Sequence, residues 1–68
     1  MLNNLRAEMV RNGLTVKDVA KILGVSERTI RGKLIGETAF TVVEAFKLRD
    51  TAFPKMKLEY LFAAKEAS

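Results

Sequence analysis

An all-α fold is predicted for this chain on three observations. Apolar residues recur at helical spacing almost throughout, and no segment sustains the two-residue alternation of a half-buried strand. Helix start and stop signals punctuate the chain at short intervals: Thr15 with Asp18, Ser26, and Thr41 with Glu44 as starts, and Gly13, Gly24 and Gly36 as stops. The chain also has 68 residues and neither Cys nor His. A domain of that size buries only about 60% of its unfolded surface, and here neither disulfides nor a Cys/His metal cluster supplements the core. Packed aliphatic side chains must therefore supply its stability, helped by any self-association.

The elements follow in order. Leu2, Leu5 and Met9 lie at i, i+3, i+7, with Asn3 or Asn4 as the expected N-cap and Gly13 as the stop, which predicts a first helix over about residues 4 to 12. Thr15 restarts the chain as an N-cap, with Asp18 at N3 to complement the positive helix end. Val16, Val19, Ala20 and Leu23 form the apolar face behind it, and Gly24 ends that second helix. Only Val25 then precedes Ser26, the next cap, and Ile30 with Leu34 forms the seam of a third helix closed by Gly36. Thr41 and Glu44 make an S/T-x-x-E capping box for a fourth, with Phe40 before the cap and Val43, Phe46 and Leu48 expected to face inward. Pro54 breaks the chain again. Leu58, Leu61 and Phe62 then predict a fifth helix near residues 57 to 65. No linker, repeat or low-complexity tract divides residues 1 to 68, which read as one domain.

Charge is distributed unevenly. Residues 1 to 36 carry seven basic and three acidic groups, whereas residues 37 to 68 carry five of each, so the whole net charge of +4 lies in the first half. This suggests an anionic partner on that side, nucleic acid being the commonest, although +4 is also an ordinary solubility charge for a small domain. The N-terminus lacks the apolar core of a signal peptide and no apolar run approaches the length of a membrane span, so a soluble cytoplasmic protein without membrane contact is expected. With no His or Cys, no phosphate-binding Gly-rich loop and no nucleophile paired with a base, neither an enzyme nor a metal, cofactor or small-molecule site is expected.

From Val16 to Leu34 the spacing fits a helix-turn-helix: small Ala20 where the third helix crosses closely, Gly24 in the turn, and Val25 and Ile30 beneath the crossing. The run TVKDVAKILGVSERTIRGKLIGETAFTVVEAFKL resembles the Cro/C1-type (lambda-repressor-like) helix-turn-helix domains of bacteria and their phages. The likeness extends through T-I-x-x-K-L-x-G and F-T-x-x-E-A and, with the first helix and the LEYLF ending, takes in nearly the whole chain. It implies a five-helix DNA-binding domain that binds an operator, commonly as a homodimer. With no further domain after it, the likeness is to a short Cro-type phage repressor. Two departures stand out: Ile35 occupies the position before the glycine where many relatives have Asn, and Gly32 falls inside the reading helix, where a polar side chain is common.

On a helical wheel centred between Ile30 and Leu34, Gly32 falls opposite the seam, Arg28 and Thr29 beside it and Arg31 on one flank. Arg28 is the foremost candidate for base reading, since its planar fork matches guanine O6 and N7. Glu27 either accepts from a cytosine amino group, as the family's contact at the matching position implies, or complements the helix N-terminus. Arg31 reaches a base, the backbone or only solvent. Gly32 either lets the helix backbone approach the bases or merely relaxes a surface helix. Phosphate contacts are expected from Thr15, Lys17, Lys33, Thr38 and Thr41, with Arg11 and the cap Ser26 as further candidates. For the threonines, capping explains the residue type equally well. Leu58, Leu61 and Phe62 finish the core, form a two-fold contact, or do both. A dimer would set two reading helices about 34 Å apart on a palindromic operator. The competing functions are a helix-turn-helix adaptor that binds protein rather than DNA, and an antitoxin-type autoregulator.

Overall fold

The computed structural model describes residues 2–63. Among them are five helices and no strand: α1 (Asn3–Arg11), α2 (Val16–Leu23), α3 (Glu27–Ile35), α4 (Val42–Ala52) and α5 (Leu58–Leu61). The all-α expectation holds, and α2 and α3 pack on each other as the helix-turn-helix pair; α4 lies against α2, and α5 bridges α1 and α4. The expected end of the fifth helix at residue 65 lies outside the described residues; within them, α5 is a single turn closed by Phe62.

Local chemistry explains most boundaries. At α2 the Thr15 hydroxyl accepts from the Asp18 amide (3.1 Å) while the Asp18 carboxylate accepts from the Thr15 amide (2.9 Å), a reciprocal capping box. Thr41 and Glu44 repeat that arrangement at α4, at 3.1 and 2.9 Å. The Ser26 hydroxyl accepts from the Thr29 amide at α3. Between α2 and α3, Gly24 takes the left-handed conformation (φ 71°) that a side chain resists, and the Val25 amide donates to the Ala20 carbonyl (3.0 Å), so the two helices meet through one fixed turn.

The start of α1 differs from expectation. Leu2 is the N-cap and no side chain caps the helix. The first turn is anchored by tertiary bonds instead: the Leu2 amide donates to the Leu34 carbonyl (3.0 Å), and the Asn4 side chain donates to the Tyr60 carbonyl (2.9 Å). Both link α1 to the far ends of α3 and α5.

The core is one cluster drawn from every helix, with Leu5, Val19, Ile30, Leu48 and Leu61 fully buried and Met9, Ala20, Leu34 and Phe53 nearly so. Each large aliphatic side chain buried in this way contributes about 1.5 to 3 kcal/mol. In α4 the inward face departs from the sequence expectation. Leu48 is buried as expected, but Val43 and Phe46 are 76% and 44% exposed, and small Ala45 takes the inward place. The inward side of α4 runs Ala45, Leu48, Ala52, at i, i+3, i+7, with Leu48 and Ala52 at the core cluster and Ala45 at a groove beside Phe40, Leu58 and Phe62; Val43 lies off that side, and Phe46 sits on a flank beneath the Arg49 guanidinium, 5.5 Å from its ring centre.

The two capping carboxylates give the fold a pH signature. Asp18 is held below the ordinary carboxylate range first by the Thr15 amide and then by the Thr15 hydroxyl, and Glu44 first by the Thr41 amide and then by Lys33. Each is more acidic folded than unfolded, so as pH falls the unfolded chain takes up protons first. Stability to urea is therefore expected to be flat from neutrality to roughly pH 5 and to decline below it as these groups protonate. In the double variant Asp18→Asn, Glu44→Gln the stability at neutral pH should be lower and the acid-side slope shallower. Urea midpoints measured across pH check this.

Candidate nucleic-acid interface

Burial of Ile30 and Leu34 decides which side of α3 faces solvent. Arg28, Thr29 and Arg31 are exposed on that side. Arg28 makes no hydrogen bond or ion pair within the described residues, so its guanidinium retains its full set of donors. Arg31 is engaged with Glu27 at 3.4 Å, an exposed i, i+4 pair. Such pairs are worth only about 0.3 to 0.5 kcal/mol, so water or another anion readily displaces either partner. Glu27 also occupies the first turn of α3, where its charge complements the helix end.

Gly32 lies on the outward side, but the space above it is not open. A Cβ at this position would come within 3.3 Å of the Glu37 carboxylate oxygen Oε1 and 4.0 Å of the Thr38 hydroxyl. The Glu37 carboxylate therefore crowds the place a residue-32 side chain would fill, with Thr38 in ordinary contact, and the expected bare stretch of helix backbone is partly covered.

The candidate phosphate contacts divide into two groups. Thr15, Lys17, Ser26, Thr38 and Thr41 are all exposed; of these, Thr15, Ser26 and Thr41 are engaged as caps through their hydroxyl oxygens. Thr15 and Arg31 border a common groove of about 580 Å³ that also takes in Val10, Val16 and Ile35. Lys33 is different. It is only 8% exposed, its ammonium donates to the Ala39 carbonyl (2.9 Å) and pairs with Glu44 (3.0 Å), and it lies over the Phe40 ring at 5.6 Å. That charge is committed to closing the α3–α4 loop and is turned away from any external phosphate. Arg11 is exposed but ion-paired with Glu8.

Two positions are not among the candidates drawn from the sequence. Glu8 is 3% exposed; it accepts from the Tyr60 hydroxyl (2.8 Å) and from Arg11, while its other oxygen, Oε1, is buried with no partner among the described residues. This bond to Glu8 holds the Tyr60 hydroxyl above the ordinary phenol pKa. The second is Glu37, whose place against Gly32 no spacing rule signals. In α5, Leu61 is fully buried and belongs to the core alone, which removes it from any two-fold contact. Leu58 and Phe62 are half-buried and border a groove of about 560 Å³ with Phe40 and Val42. Phe62 also packs edge-on against Phe40, with ring centres 5.2 Å apart.

No group of three or more metal-ligating side chains comes together among the described residues, and no helix in them is long and apolar enough to cross a membrane. Because Lys33 is buried and bonded rather than a solvated cation, Lys33→Ala should destabilise the fold by about 2 kcal/mol, the range for a lost charge-assisted hydrogen bond, as read by urea denaturation; a free surface lysine would give a change within about 0.5 kcal/mol. Comparison with family models, with curated proteins and with solved structures found no match to this chain.

Proposed function

We propose that this chain is a sequence-specific double-stranded DNA-binding transcriptional regulator, of the short Cro-type repressor kind, that inserts α3 into the major groove. The observation that carries this reading is Arg28. An unpaired guanidinium stands on the exposed first turn of a helix whose opposite side is locked into the core by Ile30 and Leu34. A rigidly mounted fork of donors is the chemistry that recognises guanine O6 and N7. Thr29 and Arg31 flank it, the latter exchanging its weak bond to Glu27 for a base or phosphate. Lys17, the α2 and α4 N-terminal ends at Thr15 and Thr41, and Thr38 supply the positioning contacts to the backbone.

Leu58 and Phe62, continued by exposed Val42, form the apolar rim through which two copies associate. Two-fold association matches a palindromic operator with half-sites about one helical turn apart. One observation favours a second reading, the protein-binding adaptor: Val42, Val43 and Phe46 place three large apolar side chains on the solvent side of α4.

Selection from random duplexes, followed by affinity measurements at roughly 50 and 200 mM salt, tests the proposal. A two-fold symmetric motif should be enriched, and its affinity should fall by orders of magnitude between the two salt concentrations. Arg28→Ala should weaken binding by about 1 to 3 kcal/mol and relax preference at one position of each half-site. An equal loss on all sequences would reassign Arg28 to a phosphate, and a selection that enriched no motif would favour the adaptor.

A further inference from the structure

The α3–α4 loop begins with an acidic residue in an unfavourable place. Glu37 follows the C-terminal end of α3, where the exposed carbonyls repel a carboxylate. It is exposed, and its carboxylate makes no hydrogen bond or ion pair among the described residues. The nearest buried cation, Lys33, is already bonded to Ala39 and Glu44. Nothing in the fold therefore accounts for its charge. Its backbone is nevertheless held: the Glu37 amide donates to the Gly32 carbonyl (2.9 Å) across the left-handed turn at Gly36, which brings residue 37 beside α3. The carboxylate then lies 3.3 Å from the point where a Cβ of residue 32 would be, on the outward side of the helix.

Resting on the DNA-binding reading above, we propose that Glu37 is a specificity-determining residue of that interface, accepting a hydrogen bond from a base amino group in the major groove. Gly32 is the complement of this arrangement. With no side chain of its own, it leaves room for the loop carboxylate to take the reading position that a helix residue would otherwise hold. A carboxylate finds no partner among phosphates, which repel it, and the donors on the major-groove floor are the cytosine N4 and adenine N6 amino groups. Cytosine is the better match, because adenine presents its acceptor N7 beside the donor, and N7 repels an ionised carboxylate. Glu37 thus acts by exclusion as well as attraction, since sequences without an amino group at that point leave a negative charge unpaired in the groove.

Selection from random duplexes with the wild type, Glu37→Gln and Gly32→Ala tests this, with circular dichroism establishing that each variant folds. In the wild type, one position of each half-site should prefer cytosine by roughly tenfold or more over thymine. Glu37→Gln should shift that one position towards adenine, whose N6 and N7 a carboxamide matches, and leave the Arg28-dependent position unchanged. Gly32→Ala, whose methyl displaces the carboxylate, should weaken preference at the same position. The proposal is overturned if Glu37→Gln tightens binding to all sequences alike with the motif intact, since Glu37 is then only a repulsive charge. If the wild type enriches no motif, the DNA-binding reading fails and this inference fails with it, an outcome distinct from a motif that Glu37→Gln leaves untouched.

Discussion

Ile30, fully buried, and Leu34, nearly so, fasten α3 to the core along one edge, and the turn at Gly24 fixes the direction from which the helix arrives. Once those two side chains are inside, the 100° advance per residue turns Arg28 and Thr29 outward, while Arg31 and Lys33, equally far to either side of the seam, are divided by tertiary contacts: Arg31 is exposed, and Lys33 is buried against Ala39 and Glu44. The outward face of α3 is therefore set by packing, together with the bonds that draw Lys33 inward. A helix held only by propensity would fray at nine residues. Here its first turn is capped by Ser26, and its last turn receives the Leu2 amide on the Leu34 carbonyl.

The α3–α4 connection is closed from the same helix. Glu44 completes the capping box of α4 and receives the Lys33 ammonium, while Lys33 also bonds the Ala39 carbonyl inside the loop. One carboxylate and one ammonium thereby hold the end of one helix, the start of the next and the loop between them. The loop residues Glu37 and Thr38 stand beside α3 because both ends of their segment are secured. Lys33 is thus a part of the scaffold placed within the candidate surface, and its basic side chain makes the first half of the sequence look more available to an anion than it is.

Much of the fold was legible because capping chemistry and periodicity are local. Thr15, Ser26 and Thr41 cap the helices that their spacing indicates, and Gly24 and Gly36 end α2 and α3. The errors arose where tertiary contacts decide. Asn4 is drawn to the Tyr60 carbonyl, 56 residues away, instead of capping α1. In α4, small Ala45 is buried beside the Phe40, Leu58 and Phe62 groove, whereas hydrophobicity alone favours Val43 and Phe46, which are exposed. The two buried charges share a signal that was available: Leu5, Glu8, Met9 and Ile30, Lys33, Leu34 each put a charged residue at i+3 within an apolar i, i+4 seam, a place that burial reaches. Of the candidate site, the exposure of Arg28 follows from the seam, but the crowding of Gly32 by Glu37 depends on how the loop folds back, and no helical period describes that.

These allocations redistribute the charge that first suggested an anionic partner. Of the seven cations in residues 1 to 36, Lys33 is bonded internally, Arg11 answers the buried Glu8, and Arg31 is loosely paired with Glu27. The three pairs are not equivalent. Drawing Arg31 outward leaves two exposed side chains that water solvates at little cost. Drawing Arg11 away would leave Glu8, whose second oxygen is already without a partner, supported by Tyr60 alone, and an uncompensated buried charge is strongly destabilising. Arg11 is thereby restricted to contacts made with donors that Glu8 leaves unused. Lys17, Lys21 and Arg28 make no hydrogen bond or ion pair among the described residues. They lie on α2 and the first turn of α3, so the cations most readily given to an external anion belong to the helix-turn-helix pair itself, with Arg31 the next to be released.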